Sequence, residues 1–170
     1  LYVDTIINEI RKIDKNRVVL TSSPSNGAWM GDRDKFGISQ DPQNWHFGDI
    51  HYYPLNTNSW RPETFHQARF ASEYGFQGYP MGWKEVARAD DDIKELISHR
   101  QHHPLNSTLI VFLVQQNLNV EFHSLDWIDQ VYLSQVSQAM ALKVETEVYR
   151  SGRGNFMNTM GALYWQLNDV

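Results

Sequence analysis

The chain has 170 residues, 41% hydrophobic and 21% charged, with a formal net charge of −5 and no cysteine. The length fits one domain and the composition an ordinary globular one. Without a basic block there is no electrostatic footprint for nucleic acid, without cysteine no disulfide framework or thiolate metal site, and no apolar run approaches the roughly 18 residues of a membrane span.

The N-terminus carries no signal peptide and does not begin with Met, and the other end stops on "LNDV". The chain is therefore expected to be a piece of a longer protein. Residues 2–15, "YVDTIINEIRKIDK", place Val3, Ile6, Ile7, Ile10 and Ile13 at helical spacing and predict an amphipathic helix. "RVVLTSS" follows; Val18, Val19 and Leu20 predict a strand buried on both faces, as in a parallel sheet. Residues 24–47 are rich in Pro, Gly, Asn, Asp and Ser and predict a long loop carrying Trp29 and Trp45.

"GDIHYYP" at 48–54 predicts a second strand, stopped by Pro54, and "ARFASEYG" at 68–75 a third. "DDIKELISHR" at 91–100 has the apolar spacing of a short helix, whereas "LIVFLV" at 109–114 fits strand or helix equally. A long helix is predicted over 126–150, with Ile128, Val131, Tyr132, Val136, Ala139, Met140, Val144 and Val148 as its apolar stripe, ended by "SGRGN". "GALYWQLND" at 161–169 predicts a fourth strand. Alternating strands and helices imply an α/β fold with parallel pairing and right-handed crossovers. Four such strands fit half of an eight-stranded barrel or a small open sheet. No strand is followed by a glycine-rich phosphate loop, so a nucleotide fold lacks its signature.

In a β/α barrel the reactive face lies at the C-terminal ends of the strands. There the sequence offers Thr21 and Ser22; His51, Tyr52 and Tyr53; Glu73; and Trp165, Asn168 and Asp169. A carboxylate among aromatics and hydrogen-bonding groups is the equipment of glycoside hydrolysis. The 13% aromatic content serves a core equally well.

The segments "RFASEYGFQ", "GDIHYY", "HRQHH", "KVETEVYR" and "MGALYWQLND" together resemble the catalytic barrel of the β-mannosidases of glycoside hydrolase family two, the animal lysosomal type above all. The resemblance runs from about residue 1 to 170 and is weakest at 24–45 and 80–125. It implies the second half of a (β/α)8 TIM barrel, from helix 4 to strand 8, as a partial catalytic domain over 1–170. It implies a retaining enzyme that removes terminal non-reducing β-D-mannose from oligosaccharides, with no cofactor. It also implies that Glu73, ending the seventh barrel strand, is the nucleophile, mounted on a rigid strand. Tyr52 or Tyr53 is implied to orient that carboxylate, and Trp165 to floor the sugar site. His51 reads as a sugar-hydroxyl donor or as a structural histidine.

Retention needs a second carboxyl group about 5 to 5.5 Å from the first. The family's acid/base glutamate ends the fourth strand in an "NE" pair. The pair Asn8-Glu9 lies mid-helix and does not take that role, so the piece alone is expected to be inactive. His99, His102 and His103, with His123, suggest metal ligation only weakly, because no acidic partner accompanies them; no metal is expected. Ser72 lacks the flanking glycines of a nucleophile elbow. Asn106-Ser107-Thr108 is a glycosylation sequon and, with the resemblance, points to a lysosomal glycoprotein. Two alternatives stand beside this reading: another family-two hydrolase, such as a β-glucuronidase or β-galactosidase, or a non-catalytic carbohydrate-binding domain. Oligomeric state is not readable.

Overall fold

The computed structural model of the chain describes residues 2–17, 19, 20, 22–25, 41–82, 95 and 108–167, with Tyr2 and Val3 as backbone only. Helix α1 (Tyr2–Ile13) forms where expected. Asp4 in its first turn and Arg11 and Lys12 in its last complement the helix dipole. Its end is set by Asp14, whose carboxylate accepts the amides of Asn16 and Arg17 at 2.9 and 3.0 Å, a local turn that competes with further helix. Of the expected apolar stripe only Ile7 is buried among the described side chains; Ile6, Ile10 and Ile13 are exposed.

Among the described residues three short strands follow: β1 (Ile50–Tyr52), β2 (Phe70–Tyr74) and β3 (Gly161–Ala162). They form one sheet in the order β1-β2-β3, parallel throughout. The parallel α/β expectation is met. The four-strand count is not met among the described residues: Val19 and Leu20 carry no strand, and Val18 lies outside them. A three-residue apolar run signals burial but supplies no ladder partner, and Leu20 is exposed. Among the described residues that region reaches the sheet through an antiparallel bridge from Ser25 to Asp49, the residue before β1, and through side-chain hydrogen bonds of Ser23. β3 is also far shorter than 161–169; after Leu163 N donates to Ala71 O at 2.8 Å, the chain leaves the ladder.

Helix α2 (Thr108–Leu118) resolves the ambiguity of "LIVFLV". Its buried residues Ile110, Leu113 and Val114 are spaced for one helical face, not for a strand. Asn119, at φ 53°, ends it in the left-handed conformation that asparagine tolerates. Helix α3 (Trp127–Ser151) starts at Asp126, whose side chain accepts the Asp129 amide at 2.9 Å as an N-cap. Its buried face differs from the expected stripe. Val131, Ala141, Val144 and Tyr149 are buried with Ser134, Ser137 and Glu145, while Ile128 and Tyr132 are exposed. Ser134 explains its own burial: its hydroxyl donates to Val131 O at 2.7 Å and accepts the Tyr79 amide at 2.8 Å.

The chain divides into two units. One comprises Leu1–Tyr52, His66–Tyr74 and Tyr149–Leu163 and holds α1 and the whole sheet. Its centre is Ala71, Ile50 and Tyr74, the last meeting Tyr149 edge to face with ring centroids 5.1 Å apart. The other comprises Tyr53–Phe65, Gly75–Val148 and Tyr164–Val170. Its core is Tyr79, Ile110, Val114, Phe122 and Val131. The expected helix at 91–100, apart from helical Glu95, the "HRQHH" segment, Trp29 and the sequon residues Asn106 and Ser107 lie outside the described residues, as do Thr21, Asn168 and Asp169. No helix among the described residues is long and apolar enough to cross a membrane.

Candidate active site

Glu73 sits one residue before the C-terminal end of β2, half-buried, on the strand "FASEY". The ladder beside it is irregular. Ile50 pairs with Ala71, but His51 pairs with Glu73, so β2 advances two residues while β1 advances one. Ser72 is the extra residue. A bulge of this kind re-aims the side chains that follow it, and here it sets Glu73 opposite His51. His51 Nδ1 lies 3.4 Å from Glu73 Oε2, an ion pair when the imidazole is protonated.

The far side of His51 is held as well. Nε2 is 3.0 Å from Ser23 Oγ, and Ser23 Oγ donates to Asp49 Oδ2 at 2.6 Å. The main chain of His51 is bracketed by one side chain: its amide donates to Gln43 Oε1 at 3.0 Å, and Gln43 Nε2 donates to its carbonyl at 2.9 Å. Asp49 is the hub. It accepts Ser72 Oγ at 2.6 Å and the Ser25 amide at 2.7 Å as well as Ser23. Burial alone would push its carboxyl up. The hydrogen bonds from Ser23, Ser72 and the Ser25 amide, together with the charge of His51, outweigh that and hold it below the usual carboxylate range.

Arg69, directly before β2, turns its guanidinium to the carbonyls of Met157 and Asn158, each at 3.4 Å. Tyr52 is half-buried in β1, its ring edge-on to His66 at 6.2 Å. Tyr53 lies past the end of β1 and is exposed; it belongs to the second unit. So does Trp165, which is 55% exposed. In that unit the Trp165 carbonyl explains the glycine of "SEYG". A Cβ on Gly75 would lie 2.7 Å from it, and φ at Gly75 is +153°, which side-chain-bearing residues rarely adopt.

The structure thus brings His51 and Glu73 together. Asp49, Ser23 and Ser72 were not expected at the site. The one sequence signal for Asp49 was an acidic residue directly preceding an apolar strand, after Gly48. Among the described residues no group of three or more His, Cys, Asp or Glu side chains is arranged to hold a metal.

No family model matches the chain. Individual proteins do. It is 36% identical to the β-mannosidase of Rattus norvegicus over 181 aligned residues, covering 100% of this chain and 20% of that protein. The β-mannosidase of Bos taurus is 36% identical with the same coverage, and a probable β-mannosidase of Caenorhabditis elegans is 35% identical over 94% of this chain. The chain therefore spans about a fifth of the length of the curated relatives it matches. With animal relatives aligned along its whole length at this identity, the chain belongs to the β-mannosidase family and corresponds to one segment of it.

Proposed function

We propose that the chain is part of a retaining glycoside hydrolase that removes terminal non-reducing β-D-mannose residues from oligosaccharides, with Glu73 as nucleophile. One observation carries the reading: in a chain whose relatives are named β-mannosidase, Glu73 stands near the C-terminal end of a parallel strand, opposite His51. That end of a strand is where β/α barrels place their chemistry. The sheet and helices are read as the second half of such a barrel.

In this reading a Glu73 carboxylate oxygen attacks the anomeric carbon as the glycosidic bond breaks, giving a covalent glycosyl-enzyme. Water then attacks the same carbon from the opposite face and releases mannose with its configuration retained. His51, Tyr52 or Tyr53, and Trp165 are proposed to contact the sugar or orient the carboxylate. The acid that protonates the leaving oxygen is proposed to lie outside these 170 residues, so the chain alone turns over no mannoside. A lysosomal, glycosylated enzyme is the matching location, supported by the sequon at Asn106.

The test uses the full-length polypeptide that contains these residues, offered aryl β-mannoside, β-glucuronide and β-galactoside. Hydrolysis of the mannoside alone, abolished by Glu73→Gln, supports the proposal. Turnover of the glucuronide or galactoside in preference, or a Glu73→Gln variant that retains activity, overturns it.

A further inference from the structure

Asp49 is 8% exposed and takes three donors: the hydroxyls of Ser23 and Ser72, both at 2.6 Å on Oδ2, and the Ser25 amide at 2.7 Å on Oδ1. A carboxylate can only accept. Each serine has one proton, and each directs it to Asp49; the other acceptor near Ser72 Oγ, the Ile50 carbonyl, is farther at 3.3 Å. Ser23 Oγ then has only lone pairs for His51 Nε2, 3.0 Å away, so the ring carries a proton there. A neutral His51 with its proton on Nε2 would turn a bare Nδ1 toward Glu73 Oε2 across 3.4 Å. Two acceptors do not attract. The contact is favourable only with a proton between them, on the imidazole or on the carboxyl.

We propose that Asp49 is a positioning residue for the reaction at Glu73: through Ser72 it pins the bulge that sets the carboxylate opposite His51, and through Ser23 it holds the Nε2 proton of His51, so that Nδ1 faces Glu73 and donates to it when the ring is doubly protonated. This rests on the reading of Glu73 as nucleophile. The two arms are independent in the chain. Ser23 lies 26 residues before Asp49 and Ser72 23 residues after it, yet both converge on one oxygen atom. The lowered pKa of Asp49 agrees with an ionised hub. On this reading the loss of either arm acts through the orientation of Glu73.

The experiment compares wild type with Asp49→Asn, Ser23→Ala, Ser72→Ala and Ser72→Thr in the full-length polypeptide. A fluorinated mannosyl trapping reagent, followed by peptide mapping, gives the labelled residue and the labelling rate; steady-state kinetics give kcat and KM. The expected result is labelling at Glu73, slowed about tenfold or more in Asp49→Asn, Ser23→Ala and Ser72→Ala. kcat should fall in step while KM moves less than about twofold, as expected when the loss lies in the orientation of Glu73. Ser72→Thr keeps the hydroxyl and should recover the wild-type rate to within about threefold. Labelling of a residue other than Glu73 in the wild type defeats the nucleophile assignment and this proposal with it. Labelling at Glu73 with wild-type rates in both serine-to-alanine variants defeats the positioning role alone. So does a Ser72→Ala loss that Ser72→Thr fails to recover and that tracks a lower unfolding midpoint, since Ser72 then serves stability only.

Discussion

His51 stands directly opposite Glu73 across the β1–β2 ladder, and only the bulge at Ser72 puts it there. In an unbroken register Tyr52 would take the place opposite Glu73. Because strand side chains alternate faces, a one-residue slip exchanges the whole set presented on each side. The placement of the carboxylate is therefore a property of the strand pair as well as of the "SEYG" motif.

Replacing Glu73 by Gln keeps the shape of the side chain and removes its charge. In the full-length polypeptide the expected outcome is a loss of aryl β-mannoside turnover of at least about a thousandfold, as for other nucleophile losses. The thermal midpoint, read by calorimetry in parallel, should change little, because Glu73 is only half-buried.

Asp49 makes a pH prediction. Its folded-state pKa lies below the ordinary value of 3.8. A depressed carboxyl contributes stability that is present above the unfolded value and lost as pH falls through the folded one. Asp49→Asn should therefore cost about 1–3 kcal/mol at neutral pH, the penalty for weakening a buried charge-assisted cluster. The gap between variant and wild type should shrink as pH falls below the unfolded value. Denaturant unfolding of both proteins across that range measures it; a gap that stays constant down to pH 2 would refute the assignment.

Gly75→Ala should destabilise the fold by about 1–3 kcal/mol. The new methyl meets the Trp165 carbonyl, which is backbone and cannot swing aside, at a φ that alanine rarely adopts. Unfolding midpoints of the two proteins decide the matter, and an equal midpoint would show that this loop relaxes freely.

Ile110 is 1% exposed and packs in the cluster with Tyr79, Val114, Phe122 and Val131. Ile110→Ala leaves a cavity there and should cost about 2–5 kcal/mol by denaturant titration. A cost below about 1 kcal/mol would mean that the site collapses around the smaller side chain.

The legible parts of the fold were those coded by neighbours in sequence. Asp126 and the Gly152–Gly154 turn bracket α3 because a cap and a glycine act within one turn of themselves. "FASEY" read correctly as a strand, and Glu73 stands near its C-terminal end. What failed depended on distant partners. Ser134 and Ser137 are both fully buried on α3, yet they break any apolar stripe; Ser134 belongs there because Tyr79, 55 residues away, needs an acceptor for its amide. The "LIVFLV" segment is apolar on every side, so periodicity could not separate helix from strand until its packing partners did. The Asp49 cluster draws on Ser23, Ser25 and Ser72, three residues that look like ordinary turn and strand serines. The bulge that unites them leaves no mark in the alternation of polar and apolar positions.

Gln43 has a further consequence. By offering a donor and an acceptor to His51 at once, its amide imitates one rung of a neighbouring strand. A foreign extended segment seeking to lengthen the sheet along β1 would have to evict that side chain first. Gln43 thus occupies the His51 main-chain groups that a further strand would need for its ladder.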